Sequence, residues 1–339
     1  MDHTRFRMLG KSTVRVTQLG FGTAPLGGFR AAIPEDVAVA TIKAAYDAGL
    51  TFFDTSPYYG YGRSEMLLGM ALREVPRGEI VISTKIGRVL SPKGPDSDLT
   101  GWREGGLPNV ATFDYSYDGV MRSIEQSCQR LGVDRVDAVF IHDVDFWTVR
   151  DRDLLERRFA QATTDGFRAL DELRRAGVIG AIGVGLNEAD MSARFVRAVD
   201  LDCVLLAGRY TLLEQGALDD FLPLCVERDV GVVIGGPFNS GILATGVVPG
   251  ARYDYAEPSP EILDRVLNLQ TACIMNGVEM AAAALQFPLG HPAVCAVIPG
   301  AMKPAEVKAN VALFDEFIPG EFWAALRDEG LLDPRAPVP

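Results

Sequence analysis

The sequence has few of the residues from which metal sites and disulfide frameworks are built. Among 339 residues there are three histidines and five cysteines, with no H-x-H or C-x-x-C pair among them. So few histidines argue against a metal-dependent barrel hydrolase. Widely spaced cysteines, most of them in apolar stretches, indicate reduced and buried thiols. We therefore expect no metal site and a cytoplasmic protein.

Blocks of basic residues and long apolar runs are also missing. The net charge is −12, and no run approaches the length of a membrane-spanning helix, which needs about 20 apolar residues. An acidic chain without basic clusters is a poor ligand for nucleic acid or anionic membranes. We expect neither as a partner, and the sequence leaves the oligomeric state open.

Short apolar runs alternate with amphipathic helical patterns along the chain. Strands are predicted at Leu19–Thr23, Thr51–Thr55, Ile80–Lys85, Val136–His142, Ile179–Gly185, Cys203–Leu206, Val230–Ile234 and Val294–Ile298. Helices are predicted near 35–48, 64–73, 117–131, 165–176, 188–198, 217–228, 260–276 and 304–313. Eight strands alternating with eight helices predict a (β/α)₈ TIM barrel. With no linker or composition shift, residues 1–339 are expected to form a single domain.

Three further segments stand outside that alternation. Arg5–Leu9 and Thr13–Gln18 flank Gly10-Lys11-Ser12 and predict a β-hairpin that closes the bottom of the barrel. Arg88–Asp114 and Asp143–Thr163 are too long for simple turns and follow predicted strands. Such loops lie on the face where barrels build active sites, so they are candidate substrate walls. Candidate contacts are the aromatic residues Trp102, Phe146, Trp147 and Tyr253.

Three of the apolar runs end on a charged or titratable residue. Asp54, Lys85 and His142 close consecutive strands, and Tyr59 follows Asp54 in a loop stiffened by proline and glycine. Polar residues at the carboxyl ends of barrel strands point into the active site. A buried lysine needs a counter-ion, which Asp54 can supply. Taken singly, each has an ordinary explanation: a structural ion pair, a core histidine, or a packing aromatic in competition with Tyr58 and Tyr61.

Together the four residues predict proton transfer at a carbonyl or alcohol oxygen. An ammonium beside a phenol stabilises the phenolate, so Lys85 is expected to lower the pKa of Tyr59. Asp54 would keep Lys85 charged and oriented. His142 would donate a hydrogen bond to the substrate oxygen while a hydride moves on the carbon side.

These residues lie in motifs that resemble the aldo-keto reductase superfamily. The segment 53–65 reads FDTSPYYGYGRSE and is similar to that family's "DTA-x-x-YG…SE" signature, while 82–85 (ISTK) and 141–142 (IH) resemble its lysine and histidine strands. The resemblance extends from Leu19–Thr23 to Val297–Ala301. It implies a (β/α)₈ oxidoreductase in which Asp54, Tyr59, Lys85 and His142 form the catalytic tetrad, with Tyr59 as the proton donor or acceptor.

No G-x-G-x-x-G motif opens a strand–helix unit, which argues against a Rossmann site. The resemblance implies instead that NAD(P) lies extended across the barrel mouth. The residues expected to contact it are Gly22, Thr23, Asp54, Asn187, Pro237, Phe238, Asn239, Ser240, Gly241, Leu243, Gly300, Ala301, Lys303, Glu306 and Asn310. The chain departs from the family in having Asn187 one position late, Ala207 in place of a glutamine, and Gly235-Gly236 near a usual stacking aromatic.

Two positions bear on the choice between NAD and NADP. Members that prefer NADP commonly carry Lys and Arg where this chain has Gly300 and Glu306. The Glu306 carboxylate would repel a 2′-phosphate and can accept a hydrogen bond from a free 2′-hydroxyl. NAD is therefore the predicted cofactor. NADP is the alternative because Lys303 and Lys308 are close by.

Three segments of the chain resemble one branch of the superfamily. They are 183–188 (GVGLNE), 206–213 (LAGRYTLL) and 235–243 (GGPFNSGIL), and the branch contains L-fucose, D-threo-aldose and L-galactose 1-dehydrogenases together with pyridoxal 4-dehydrogenases. The resemblance implies oxidation of a cyclic hemiacetal to a lactone, most simply of an aldose at C1. Tyr59, His142, Phe146 and Trp147 are the expected substrate contacts. Alternatives are pyridoxal oxidation, general NADPH-dependent aldehyde reduction, and a non-catalytic cofactor-sensing subunit.

Overall fold

The computed structural model describes residues 1–28, 31–94 and 105–339. Its strands within these ranges are β1 (Phe6–Met8), β2 (Arg15–Thr17), β3 (Phe21–Gly22), β4 (Phe52–Asp54), β5 (Val81–Ile86), β6 (Arg88–Pro92), β7 (Asn109–Phe113), β8 (Val136–His142), β9 (Ile179–Leu186), β10 (Cys203–Ala207), β11 (Gly231–Gly235) and β12 (Val294–Ile298). The eight predicted strands are all present. The predicted aromatic contact Trp102 lies outside the described residues.

Eight of these strands form one parallel sheet. Its order is β12-β11-β10-β9-β8-β5-β4-β3, and every neighbouring pair is parallel. Parallel bridges from Leu19 to Val297 and from Gly22 to Gly300 join the two ends of the sheet. The strands therefore close on themselves, and the predicted (β/α)₈ barrel is confirmed.

Helices surround this barrel. They are α1 (Glu35–Asp47), α2 (Arg63–Leu72), α3 (Tyr117–Leu131), α4 (Phe146–Val149), α5 (Arg152–Gln161), α6 (Phe167–Arg175), α7 (Ala189–Ala198), α8 (Phe221–Glu227), α9 (Ile242–Thr245), α10 (Pro260–Met275), α11 (Met280–Gln286), α12 (Pro304–Asp315) and α13 (Gly320–Asp328). The eight predicted helices are confirmed within a few residues. The apolar positions that repeat every three or four residues, such as Val120, Ile124 and Leu131 of α3, face the strands.

Both segments predicted as long loops contain regular structure. Asp143–Thr163 holds α4 and α5, whose N-cap residues Asp145 and Asp151 accept hydrogen bonds from Thr148 N and Leu154 N. Only Leu155 of α5 is buried, so this helix lacks the repeating pattern of buried apolar residues from which it could have been predicted. In Arg88–Asp114, β6 and β7 pair as an antiparallel hairpin beside the barrel mouth.

The N-terminal hairpin packs under the barrel. β1 and β2 pair antiparallel, as predicted. Leu9, Val14 and Val16 lie in one buried cluster with residues from inside the barrel, among them Phe52 and Phe140. This cluster closes the end of the barrel opposite the strand carboxyl ends, which confirms the predicted plug and leaves the other end for the site.

Candidate active site

Asp54, Lys85 and His142 meet at the carboxyl end of the barrel. They lie on β4, β5 and β8, which are consecutive neighbours in the sheet, and all three side chains are buried. Lys85 Nζ donates to Asp54 Oδ2 at 2.7 Å and to the Thr55 carbonyl at 2.8 Å. Ser83 Oγ donates to the other Asp54 oxygen at 2.7 Å. Both oxygens of the carboxylate are thus occupied by donors.

The partly buried Tyr59 hangs over these strand ends. Its loop is held by a hydrogen bond from Tyr59 N to the Ser56 carbonyl, and left-handed backbone at Gly60 and Gly62 turns the chain into α2. Lys85 Nζ lies 4.7 Å from the centre of the Tyr59 ring. The ring stands perpendicular to His142, with 6.0 Å between ring centres. All four predicted catalytic residues are therefore in one group.

The electrostatics of Tyr59 differ from the expectation. Burial and the negative charges of Asp54 and Asp143 raise the pKa of Tyr59 well above 10, although Lys85 was expected to lower it. Lys85 Nζ lies over the face of the Tyr59 ring and forms its ion pair with Asp54. The expected lowering of the pKa of Tyr59 is thus wrong, and Tyr59 is protonated at neutral pH.

His142 is held in its neutral form. Burial, together with the positive charges of Arg88 and Lys85, keeps the pKa of His142 well below 6.5. The Tyr115 hydroxyl donates to the His142 carbonyl at 2.7 Å and fixes the end of β8. A neutral imidazole offers one N–H donor and one acceptor nitrogen. His142 can therefore donate a hydrogen bond to a substrate oxygen.

Arg88 and Asp143 belong to the same group and were missed by the sequence analysis. Arg88 is 5% exposed, and its Nη2 lies 2.7 Å from Asp143 Oδ2. Its guanidinium also stacks on the ring of Tyr58, 4.0 Å from the ring centre. The available signal was position, because Arg88 follows Lys85 by three residues and Asp143 comes directly after His142.

A cavity of about 200 Å³ opens beside Tyr59. The predicted cofactor residues on its wall are Gly22, Asp54, Asn187, Asn239, Ser240 and Gly300. Of the four predicted substrate contacts, Tyr59 and Trp147 line it. His142 lies beside the Tyr59 ring and outside the lining, and Phe146 packs under Arg152, 4.9 Å from ring centre to guanidinium. Wall residues that the sequence analysis did not select as contacts include Arg209, Asp254 and Tyr255.

The other predicted cofactor residues stand outside the lining of this cavity. Thr23 is buried and its hydroxyl donates to the Asp54 carbonyl at 2.8 Å. Pro237, Leu243 and Ala301 are buried, Phe238 packs against the main core, and Gly241 precedes α9 in a left-handed conformation. Lys303 is the N-cap residue of α12 but makes no side-chain capping hydrogen bond; Glu306 stands on the first turn of that helix, and Asn310 lies further along it.

Two short networks fix the cavity wall. Asn239 and Ser240 both have left-handed backbone; Asn239 Oδ1 accepts from Thr211 Oγ1 at 2.6 Å, and Ser240 Oγ accepts from Tyr255 N at 3.0 Å. Arg209 holds Asp254 through two hydrogen bonds of 3.0 and 2.8 Å. These hydrogen bonds hold the segment that carries Asp254 and Tyr255 against the cavity, where both residues form part of the wall. The sequence pattern does not predict this contact.

The wall residues fit a nicotinamide cofactor. Glycines supply much of the wall (Gly22, Gly208, Gly235, Gly236 and Gly300), and backbone without side chains lets a flat ring approach closely. A Cβ added at Gly22 would lie 3.0 Å from the Ile298 carbonyl. Asn187 lies on the wall with its Nδ2 donating to Asp145 at 3.0 Å.

Within residues 1–28, 31–94 and 105–339, no three His, Cys, Asp or Glu side chains are grouped so as to hold a metal ion. Of the helices in those ranges, none is by itself both long and apolar enough to cross a membrane. The bent pair Pro260–Met275 and Met280–Gly290 passes on length and composition only when its two parts are joined.

Comparison with known proteins gives consistent results. Residues 18–328 match the model of the aldo/keto reductase family. The chain is 45% identical over 336 residues to a pyridoxal 4-dehydrogenase of Microbacterium luteolum, covering 96% of this chain and 97% of that one. It is 38% identical to a D-threo-aldose 1-dehydrogenase of a Pseudomonas species (94% and 95% covered) and 30% identical to an L-galactose dehydrogenase of Arabidopsis thaliana (93% and 90%).

The fold has close structural counterparts. The solved structure of aldo-keto reductase AKR11C1 from Bacillus halodurans, in its holo form, superposes with a TM-score of 0.75 at 23% identity, covering 98% of this chain and 97% of the other. A glycerol dehydrogenase of Gluconobacter oxydans gives the same TM-score. At such low identity these two structures support the barrel fold alone.

Proposed function

We propose that this chain, which belongs to the aldo/keto reductase family, oxidises a cyclic hemiacetal to a lactone with NAD. Its family makes it an NAD(P)-dependent oxidoreductase. The observation that carries the finer proposal is the group at the barrel mouth: a phenol, an ammonium–carboxylate pair and a neutral imidazole beside a glycine-walled cavity. The phenolate form of Tyr59 can take up the proton of the hydroxyl, and the imidazole can hold the oxygen in place.

The roles of the four residues follow from their contacts. Bound NAD would accept the hydride that leaves the hemiacetal carbon. Tyr59 takes the hydroxyl proton, so the carbon–oxygen bond becomes the carbonyl of the lactone. Lys85, fixed by Asp54, lies against the face of the Tyr59 ring and holds that ring in place. His142 donates to the substrate oxygen and orients it.

The raised pKa of Tyr59 affects oxidation of the hemiacetal and reduction of a carbonyl differently. At neutral pH the phenol is protonated, which suits the donor needed for reduction of a carbonyl. In the oxidative direction only the small phenolate fraction is active, but that phenolate is a strong base. Oxidation is therefore expected to be fastest in alkaline solution.

We propose pyridoxal as the first substrate to test and a sugar of the L-fucose or L-galactose type as the second. Pyridoxal closes into a hemiacetal through its own hydroxymethyl group, so both classes present the same reacting group. The higher identity to the pyridoxal enzyme, 45% against 38% for the aldose enzyme, supports this order. It reverses the order that the sequence motifs favoured. Trp147 and Tyr255 offer aromatic surface in the cavity for a pyridine ring.

We also propose that NAD is preferred over NADP, that residues 1–339 work as one domain, and that the protein is cytoplasmic. Glu306 stands on the first turn of α12, where a 2′-phosphate would meet a carboxylate. Segments near both ends of the chain pair to close the barrel, through Leu19 and Val297. The five cysteines are free thiols, as is usual in the reducing cytoplasm.

The test is an NAD-reduction screen with pyridoxal, L-fucose, L-galactose and D-arabinose. Each sugar is paired with its methyl glycoside, which has no free anomeric hydroxyl. We expect turnover with one free hemiacetal, none with its glycoside, and a product two hydrogen atoms lighter than the substrate by mass spectrometry. Turnover confined to NADPH-dependent reduction of simple aldehydes would show a general reductase instead. No turnover in either direction would indicate the cofactor-sensing alternative.

A further inference from the structure

We propose that Arg88 is a positioning residue that fixes His142 as the tautomer with its proton on Nε2, so that Tyr59 alone carries the transferred proton. The inference rests on the proposed function for the part that concerns catalysis. The arrangement itself is a property of the protein without substrate. It assigns a role to a buried cation outside the group of four.

The contact between Arg88 and His142 has a defined direction. Arg88 Nη1 lies 3.3 Å from His142 Nδ1, and both side chains are buried. A guanidinium has five N–H donors and no acceptor. His142 Nδ1 must therefore present its lone pair, and the ring proton belongs on Nε2. Ser56 Oγ lies at the same distance from Nδ1 and can donate to it as well.

Arg88 is itself held on several sides. It pairs with Asp143 at 2.7 Å and stacks on the rings of Tyr58 and Phe113, at 4.0 and 4.4 Å from the ring centres. The chain reaches this place through a turn at Gly87, whose φ is +108°. A Cβ at Gly87 would lie 2.1 Å from the Tyr115 ring. A planar, doubly stacked guanidinium loses little further freedom when it binds the imidazole.

Asp143 balances the charge of Arg88 but does not accept a hydrogen bond from His142 Nε2. His142 Nε2 lies 3.5 Å from Asp143 Oδ1, longer than an N–H···O hydrogen bond. The Nε2 proton thus stays available to a substrate oxygen. The backbone of Asp143 is left-handed, and its N–H donates to the Gly185 carbonyl at 3.0 Å, which holds the carboxylate beside the ring.

The charged and titratable groups around His142 include Lys85 on β5, Arg88 on β6, Asp143 beside it in the chain, Asp54 on β4, Tyr59 in the loop, and Tyr115, whose hydroxyl donates to the His142 carbonyl. Two cations and burial oppose protonation of the ring, and they hold the pKa of His142 well below 6.5. His142 is then a fixed neutral donor and not a second acid. Loss of Arg88 would free Nδ1 to take a proton.

The test is ¹⁵N NMR of histidine-labelled protein. With three histidines in the chain, His3→Gln and His291→Gln assign the remaining signals. We expect His142 to carry its proton on Nε2 and to show no titration between pH 5 and 8. In Arg88→Met we expect mixed tautomers and a titration at higher pH than in the wild type, because one of the two cations that oppose protonation is removed while burial and Lys85 remain. We also expect kcat to fall by about 10–100-fold, by analogy with the loss of hydrogen-bond partners that orient metal-bound histidines.

Two further variants separate positioning from a general loss of structure. Arg88→Met/Asp143→Asn leaves no unpaired charge, and the tautomer mixture should appear there too. Arg158→Met removes another cation that stacks on Phe113, at 3.7 Å, and it should leave the His142 signals unchanged. A proton on Nδ1 in the wild type, or an unchanged His142 in both Arg88 variants, would overturn the proposal. The NMR result does not depend on which substrate is turned over, so it stands apart from the proposed function.

Discussion

Lys85 Nζ and Asp54 Oδ2 are 2.7 Å apart, and the two side chains are 1% and 3% exposed. The pair is therefore a buried ion pair between neighbouring strands. A buried charge is costly unless its partner and further hydrogen bonds compensate it. Here Thr55 and Ser83 supply those further bonds. The same ion pair thus contributes to stability and to catalysis. Substituting one or both of its residues distinguishes the two contributions.

The first prediction concerns this pair. Lys85→Met should lower the free energy of unfolding by about 3–5 kcal/mol, because it leaves the Asp54 carboxylate buried without its cation. Lys85→Met/Asp54→Leu should recover a large part of that loss while turnover stays absent. Urea unfolding and NAD-reduction assays measure the two effects. A double variant as unstable as the single one, or one that turns over substrate, contradicts this account.

The second prediction is for the phenol. Tyr59→Phe should reduce kcat by about 10²–10⁴-fold, the contribution typical of a general acid–base group. Its affinity for NAD should stay near that of the wild type, because the ring and its contact with Lys85 are kept. Tyr61→Phe removes a hydroxyl from the same loop and is the matched control, with turnover near the wild type. Cofactor titration by fluorescence and initial rates report both quantities, and substantial turnover by Tyr59→Phe would falsify the role.

The third prediction is the pH dependence of oxidation. Because the pKa of Tyr59 is raised above 10, the active phenolate increases about tenfold per pH unit in the range below that pKa. Hence kcat/KM for oxidation should rise from pH 7 to 9 without a plateau, while reduction should be flat there. Asp143→Asn removes a negative charge that opposes the phenolate, so the rise should move to lower pH. A plateau already reached at pH 7 would show that the bound cofactor reverses the shift.

The chain pattern allowed Asp54, Lys85 and His142 to be predicted because each closes an apolar strand with a residue that packing does not explain. Strand order then placed them together. Tyr59 was assigned from the family resemblance, since Tyr58 and Tyr61 stand in the same loop. Its pKa could not be predicted, because it depends first on burial and then on the charges of Asp54 and Asp143, and no spacing shows how closely these surround the phenol.

Arg88 shows a second limit of sequence reasoning. A cation three residues beyond a strand end can point to solvent or to the site, and a single turn decides which. That turn is made by Gly87 with its left-handed backbone. The helices α4 and α5 were missed for a related reason, since their starts are set by the caps Asp145 and Asp151 and not by an apolar period.

The fourth prediction tests the turn. Gly87→Ala forces a Cβ into the Tyr115 ring at a φ of +108°, so both stability and kcat should fall. A strained backbone of this kind costs about 1–3 kcal/mol. The matched control is Gly78→Ala, where a Cβ meets nothing within 4 Å and φ is not positive. Thermal unfolding of both variants should show a loss for Gly87→Ala alone; equal melting temperatures would mean that the turn tolerates a side chain.

The fifth prediction concerns the cofactor. Glu306 Oε2 accepts a hydrogen bond from Met302 N at 2.8 Å, and Lys303 Nζ lies 3.7 Å from its other oxygen. The carboxylate is therefore held at the start of α12, and it partly cancels the nearby lysine charge. Glu306→Lys replaces repulsion of a 2′-phosphate by attraction, and we expect kcat/KM with NADP relative to NAD to rise by about tenfold or more, equivalent to about 1.4 kcal/mol.

The control for the cofactor change must alter the net charge equally. Glu321 also stands on the first turn of a helix, α13, and its side chain is exposed. Glu321→Lys should leave the ratio of the two cofactors unchanged, because a remote surface charge is screened beyond about 10 Å in ordinary buffers. If both variants shifted the ratio alike, the effect would come from overall charge. If neither did, or if the wild type already preferred NADP tenfold, Glu306 would not set the preference.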